Sequence, residues 1–591
     1  MDNNNNKPCS SNKIIKTSDG CEIVLELSQN DPFFDKKKNL LHSMGFDIRE
    51  QVQFHRSSCP DAIATILERI LQIARIIHLD EVELYFGKVN DCSSFEYWSP
   101  RNEVEALNSV LSLINSYSSC ERQKEMNFLQ TLQDEVLKRI QEFTDKNKVE
   151  SRIDRSCSCD KEKCLEKWGE SNGVKTSLKI ACVEGAGRGA IATKDLKVGD
   201  IALEIPVSII ISEEHVHKSD MYHILEKIDG ITSETMLLLW SMKERHNCSS
   251  KFKIYFDTLP EEFKTESPEF SSQSPTLAGA RLSFGVDAIM ALDGTLLLEE
   301  IMQAKEHLRV QYDELVPPLC KNYPEVFLPE LYTWEQFLWA CELWYSNSMK
   351  VMFVDGKLRT CLIPIAGFLN HSLYPHIVHY GKVDSATNTL KFPLTRPSCF
   401  GEQCCLSYGN FSSSHLITFY GFMPQGDNPY DVIPLGLLFP SMNLESVLTH
   451  SQTCADIDVG DAYCIEGCPT SSWTSHMVRG TWFSNNHNIF YYGLPSPLLD
   501  YLRGARSPAP HAKTIEISNL ENEIEVLKDL QSTFSSMMEN LGDTDLVDSD
   551  DASWDVKLAL EFKDLQRRIV SSILTSCAAG LNLVQDELSE L

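Results

Sequence analysis

Leu362-Ile363-Pro364-Ile365-Ala366-Gly367-Phe368-Leu369-Asn370-His371-Ser372 is an apolar, strand-like run that ends in three small or medium polar side chains. Taken alone, an Asn-His-Ser ending marks an ordinary turn. Its company changes that reading. Upstream lies Glu184-Gly185-Ala186-Gly187-Arg188-Gly189, and downstream lie Leu406-Ser407-Tyr408-Gly409 and Phe419-Tyr420-Gly421-Phe422. The glycine-rich turn is flanked by Lys179–Val183 and Ile201–Val207, both suited to strands. No helix follows it to hold a phosphate at its N-terminus, so a dinucleotide-binding unit is not implied.

The totals bound the rest. A chain of 591 residues exceeds one core and predicts two to four modules. A formal charge of −30, from 54 basic and 84 acidic residues, argues against nucleic acid or an anionic membrane as partner. No apolar run reaches the roughly 18 residues that span a bilayer. The first residues carry neither a secretory core nor an Arg-rich transit pattern, and 20 cysteines are scattered along the chain. Mostly reduced thiols in the cytoplasm or nucleus, rather than a chloroplast, is the expectation.

Residues 1–20 are polar and expected to be disordered. Residues 21–57 give mixed signals. From Asp61 an amphipathic stripe begins (Ile63, Ile66, Leu67, Ile70, Leu71, Ala74), and helices are predicted over 101–116 and 121–143. Cys157, Cys159 and Cys164 spell C-x-C-x4-C, a spacing that zinc can use, but a fourth ligand is not in evidence and no metal is predicted. Residues 213–345 read mainly as helix, including Leu297–Val316 and Trp334–Tyr345. Helical periodicity returns over 497–503, 515–540 and 554–576, with an acidic loop Asp543–Asp551 between the last two.

In their order along the chain, the four motifs resemble the SET-domain protein methyltransferases. The resemblance is to the branch with a helical insert and a helical C-terminal domain, typified by the Rubisco large-subunit methyltransferase, and it covers roughly residues 160 to 585. It implies an α+β fold: a mostly β SET core over 160–425 with a helical insert at about 215–345, and a helical substrate-binding domain over 426–591. The resemblance does not cover the first 150 residues, where the periodicity alone predicts a helical N-terminal extension over 21–155. It implies S-adenosyl-L-methionine as cofactor. The matching contact positions are Glu184, Gly185, Ala186, Asn370, His371, Tyr408, Tyr420 and Phe422, with Tyr408 as the catalytic tyrosine. Glycine suits a turn whose main chain presses on a ligand, because a side chain would hold that ligand away.

Methyl transfer from a sulfonium to an amine needs alignment, a dry channel and a neutral nucleophile, but no metal. A free lysine titrates near 10.4, so it must lose its proton first, and burial beside a cation favours that loss. The implied partner is a non-histone protein methylated on lysine, with histidine the acceptor in some members of the branch. The alternative is a non-catalytic SET-fold scaffold that binds a protein partner. The large N-terminal module and a missing arginine support that alternative: a Ser-Arg pair that reaches the cofactor carboxylate in relatives is Ser346-Asn347 here, with Lys350 three residues on as a substitute if the helix continues. Two further departures bear on rate and substrate. The usual Asp before Asn-His is Gly367, and Ser412-Ser413-Ser414-His415 replaces Ser-Asn-Ala-Glu.

Overall fold

The computed structural model describes residues 12–16, 20–55, 60–86, 99–120, 127–147, 151–154, 159–260, 284–434, 477–478, 489–506, 513–542 and 552–591. The architecture is mixed α+β, with short antiparallel strands at the centre of the chain and helices around them. Cys157 and the acidic stretch Asp543–Asp551 lie outside the described residues.

The N-terminal part is not all helix. Lys13–Lys16, Gly20–Glu26 and Arg49–His55 form a three-stranded antiparallel sheet, with Ile14 opposite Ile23 and Ile23 opposite Val52. Disorder is expected up to residue 20, yet residues 13–16 form a strand, with 1–11 and 17–19 outside the described residues, and the extension expected to be helical also carries this sheet. The reason is local: Ile23, Val24 and Leu25 are all buried, so both faces of the strand are covered and its sequence shows no alternation. Helices Pro60–Ile77, Pro100–Cys120 and Asn127–Lys146 pack on this sheet through Leu67, Ile70, Leu107 and Val136.

The central core starts with a hairpin, Leu178–Val183 paired to Gly187–Ala192. Ile201–Pro206 lies between Thr389–Pro393 and Lys175–Thr176 in a four-stranded sheet. A second hairpin joins Ser348–Met352 to Leu358–Leu362. Between these strands comes the insert. Its helices Ser233–Glu244, Leu296–Asn322 and Trp334–Asn347 each begin at a threonine, Thr232, Thr295 and Thr333, whose hydroxyl accepts an amide of the first turn. The second helix runs past its expected end at Val316, through Pro317 and Pro318. Val316 and Leu319 are both buried, and that burial offsets the hydrogen bonds the prolines cannot make.

The strand-like approach to Asn370 contains a strained residue. Ile365 has φ of 74°, a conformation that a β-branched side chain rarely adopts. Its Cδ1 fills a notch at Gly169, where an added Cβ would come within 2.3 Å. The chain then makes the short turn Ala366–Phe368 and enters Leu369-Asn370.

At the C-terminal end, Ile517–Leu541 packs along Trp554–Glu590, with Ser496–Arg506 across one end. The start of the long last helix meets the insert and the core in one apolar cluster, Leu292, Ile301, Ile417, Ala559 and Phe562 among its members. Arg503 and Glu523 form a fully buried ion pair at the centre of the helical packing. The guanidinium also donates to the Phe490 carbonyl at 2.7 Å, and the Tyr492 hydroxyl donates to Glu523 at 2.8 Å. Among the described residues no helix is long and apolar enough to cross a membrane.

Removing one partner of such a pair strands the other charge. Glu523→Ala is expected to cost about 3–5 kcal/mol. The loss should appear in chemical denaturation as an early transition confined to the C-terminal helices, followed by hydrogen exchange.

Candidate functional site

The site is assembled by one threaded crossing. The extended segment 402–407 runs between the Gly187–Ala192 strand on one side and residues 370–377 on the other. Cys404 N donates to the Ala190 carbonyl at 2.8 Å, and Ala192 N to that of Glu402 at 2.9 Å. Leu406 N donates to the Asn370 carbonyl at 2.9 Å, and Ser372 N to that of Leu406 at 3.2 Å. Ser407 N continues the ladder to the Ile377 carbonyl at 3.1 Å. Asn370 closes the crossing with its side chain: Nδ2 lies 3.2 Å from the Arg188 carbonyl and 3.4 Å from that of Ala186. Gly189 lets the strands approach, since a Cβ there would sit 2.4 Å from Gln403 Nε2 and 3.2 Å from Asn370 Nδ2.

Four aromatic side chains, His371, Tyr408, Tyr420 and Phe422, gather at the crossing. His371 Nδ1 accepts the Tyr408 amide at 3.0 Å, so that nitrogen carries no proton and the ring is neutral. Burial holds His371 near a pKa of about 4. The Tyr408 ring centroid lies 5.3 Å from that of His371, 4.8 Å from Tyr420 and 6.3 Å from Phe422. Its hydroxyl donates to the Leu369 carbonyl at 3.2 Å. Burial raises the Tyr408 phenol far above its ordinary range, and Tyr420 adds to the effect. Tyr420 ends a π-helical turn, Leu416–Tyr420, closed by Gly421 at φ of 75°.

The turn Glu184–Ala186 lies exposed beside this cluster. Glu184 N donates to the Arg152 carbonyl at 2.8 Å and Ala186 N to that of Val183 at 3.1 Å. Gly185 has φ of 75°, and nothing lies within 4 Å of an added Cβ, so the main chain presents an open face. Gly185 and Phe422 line the same cleft, with a volume of about 590 Å³. Tyr408 thus packs against His371, Tyr420 and Phe422, Asn370 ties the crossing to the turn, and Glu184 is exposed.

The expectation about the carboxylate end, that Lys350 stands one helical turn beyond Asn347, fails. The Trp334–Asn347 helix stops at Ser348, which is extended, so Lys350 does not lie one turn further along a helix. It sits on a strand with its ammonium 3.7 Å from Glu234. Asn347 is buried, and its amide donates to Ser346 Oγ at 2.7 Å. His415 stacks on Phe411 with centroids 4.2 Å apart.

The sequence reading missed Asp80. This residue of the N-terminal part accepts hydrogen bonds from Asn410 Nδ2 at 2.9 Å and from the Tyr430 hydroxyl at 2.6 Å. Arg101 holds the carboxylate from behind, at 3.5 Å, and also pairs with Glu83 and Glu105. Asp431, next to Tyr430, accepts the Ser413 amide and hydroxyl at 2.6 and 2.8 Å. One carboxylate therefore joins both loops that follow Tyr408. Asp80-Glu-Val-Glu carries only the spacing of a helix cap, with Glu83 N on Asp80 Oδ1 at 2.8 Å, and nothing local signals the distant contacts.

The fold that brings the hairpin turn, the threaded Asn370-His371 segment and Tyr408 together is that of a SET domain. The SET domain of LSMT solved with lysine and AdoHcy superposes with a TM-score of 0.50 at 18% identity, over 73% of this chain and 93% of that one. No family model matches the chain. In sequence it is 23% identical over 271 residues to the N-lysine methyltransferase setd6 of Xenopus tropicalis, covering 44% of this chain and 56% of that protein. It is 26% identical over 275 residues to the ribulose-1,5 bisphosphate carboxylase/oxygenase large subunit N-methyltransferase of Pisum sativum, covering 44% and 51%. The actin-histidine N-methyltransferase of Gallus gallus matches at 24% over 283 residues, covering 46% and 44%. The chain spans about half the length of the curated relatives it matches. These comparisons show that the chain is similar in sequence to SET-domain protein methyltransferases of the Rubisco large-subunit methyltransferase type and shares their fold.

Two outcomes follow from the geometry. Burial holds His371, His376 and His415 at about 4 in the folded chain, against roughly 6.5 for an unperturbed histidine. The unfolded chain therefore binds more protons between these values. Stability contributed by the neutral rings is complete above about 6.5 and is lost as pH falls through about 4. Thermal melts from pH 7.5 to 4 should show that decline, and a flat profile would refute it. Asp80→Ala removes two hydrogen bonds to a charged acceptor, typically about 1.5–3 kcal/mol each. Amide exchange in 409–415 and 428–431 should rise about ten- to a hundredfold, while the Leu178–Val183 hairpin stays protected.

Proposed function

We propose that the chain is an S-adenosylmethionine-dependent protein N-methyltransferase, acting on a lysine of a non-histone protein. The observation that carries this reading is the position of Tyr408. Its hydroxyl is anchored to the crossing, its ring is packed against Tyr420 and His371, and the cluster borders the cleft that the open Gly185 turn lines. A scaffold has no chemical need for a hydroxyl at that point.

The residues present fit the cofactor. The exposed main chain of Glu184, Gly185 and Ala186 would meet it at the turn, and Asn370, His371, Tyr408, Tyr420 and Phe422 would complete the contact. A cleft of about 590 Å³ is within the usual range for small-molecule sites, roughly 300–1,000 Å³. When bound, S-adenosylmethionine supplies an electrophilic methyl group on a sulfonium. The chain's own residues then set orientation. With its pKa raised by burial, Tyr408 keeps its proton at neutral pH and is not a general base. Its hydroxyl oxygen offers lone pairs to an approaching amine or polarised methyl, and the His371 bond to the Tyr408 amide fixes where that oxygen sits. The acceptor lysine gives its proton to water before it enters, since Tyr408 cannot take it.

In this reading residues 160–425 are the catalytic unit, 426–591 bind the protein substrate, and 21–155 brace the loops around Tyr408 through Asp80. A cytoplasmic or nuclear location belongs to the proposal. Lysine is favoured over histidine because the relatives named for lysine outnumber the actin-histidine enzyme among the matches.

Tyr408→Phe should lower methyl transfer by at least about a hundredfold, the lower range for removing one positioned hydrogen-bonding group at a reacting centre, with cofactor affinity by calorimetry largely unchanged. Transfer is read as radiolabelled methyl incorporated into proteins of an extract. Full activity in Tyr408→Phe would refute the assignment.

A further inference from the structure

The cleft that Gly185 and Phe422 line has a second wall. It is the start of the last helix, through Trp554, Leu558, Glu561, Leu565 and Arg568. Their spacing is four, three, four and three residues, which places all five on one helix face. The wall is apolar at its beginning and charged further along. Asp427, Asp431 and Glu561 add negative charge to the lining, suited to the ammonium and sulfonium of a zwitterionic cofactor, and Arg568 is the one cationic side chain among the described residues that line the cleft. Its Nε lies 3.7 Å from Asp564, and both side chains are more than half exposed, so this pair leaves the guanidinium available at small cost.

A ligand with an α-carboxylate needs a cation in such a lining. Asn347 is neutral, buried and bonded to Ser346, and Lys350 is held by Glu234. Resting on the methyltransferase reading above, we propose that the last helix completes the cofactor cleft and that Arg568 pairs with the carboxylate of S-adenosylmethionine. A guanidinium presents two parallel N–H groups to a carboxylate, which fixes the ligand's direction as well as its charge. The Trp554 indole on the same wall should report occupancy through its fluorescence.

The test is titration of the full chain with S-adenosylhomocysteine and with 5′-methylthioadenosine, which lacks the amino-acid end. Arg568→Ala should weaken S-adenosylhomocysteine about ten- to a hundredfold, the usual effect of losing a charge-assisted hydrogen bond. It should leave 5′-methylthioadenosine unchanged. Arg567→Ala, off the cleft wall, should change neither. Equal losses for both ligands, or none for either, would overturn the role of Arg568 while leaving cofactor binding intact. Failure of the unaltered chain to bind S-adenosylhomocysteine would overturn the cofactor reading itself.

Discussion

The two hydrogen bonds from Asn370 Nδ2 to the carbonyls of Ala186 and Arg188 hold together parts of the chain more than 180 residues apart. Both acceptors are main-chain atoms at the end of a hairpin, and the donor lies on a segment already bonded to Leu406. Such a crossing tolerates little adjustment. A side chain at Gly189 would displace Gln403 or Asn370, and a slip of 402–407 by one residue would exchange the faces on which Leu406 and Ser407 stand. Everything chemical about the site depends on that registration. His371 reaches the Tyr408 amide only because Asn370 is fixed, and Tyr408 meets Tyr420 only because its own amide is held.

The strain at Ile365 has the same origin. The chain must turn out of the Leu358–Leu362 strand and into the crossing within a few residues. A positive φ at a β-branched residue costs of order 1–3 kcal/mol. The notch at Gly169 recovers part of it by taking the buried side chain. Gly169 is on a helix that begins at Asp160, so the N-terminal border of the central core is fixed by the same requirement.

Much of this was legible in the sequence because it is local. The strands around the glycine turn, the insert helices and the C-terminal helices all carry their periodicity in consecutive residues. Tyr408, His371 and Asn370 could be named because each sits in a short motif whose order along the chain is informative. What could not be read depends on long-range contact or on burial from both sides. The Gly20–Glu26 strand shows no alternation because both faces are covered. The fate of Lys350 turns on one helix ending at Asn347, which a polar Ser-Asn-Ser run does not dictate. Asp80 carries a cap-like spacing and nothing that points to Asn410 or Tyr430, which lie 330 and 350 residues away.

The N-terminal part is therefore more than an appendage to a SET core. Among its contacts with the core are Asn108 on the Thr395 carbonyl, Thr144 on the Tyr374 hydroxyl, and Asp80 on the loops after Tyr408. The first two lie beside the strand side of the crossing, while the third faces the loops that the crossing leaves unsupported. A loop that positions an aromatic hydroxyl must hold it to within a fraction of an ångström if transfer is to be aligned. In this chain the segment from Tyr408 to His415 is polar and serine-rich, with little apolar burial of its own before Leu416. Its order has to come from outside. Asp431 supplies part of it from the C-terminal side, and Asp80, held by Arg101, supplies a further part from the N-terminal side.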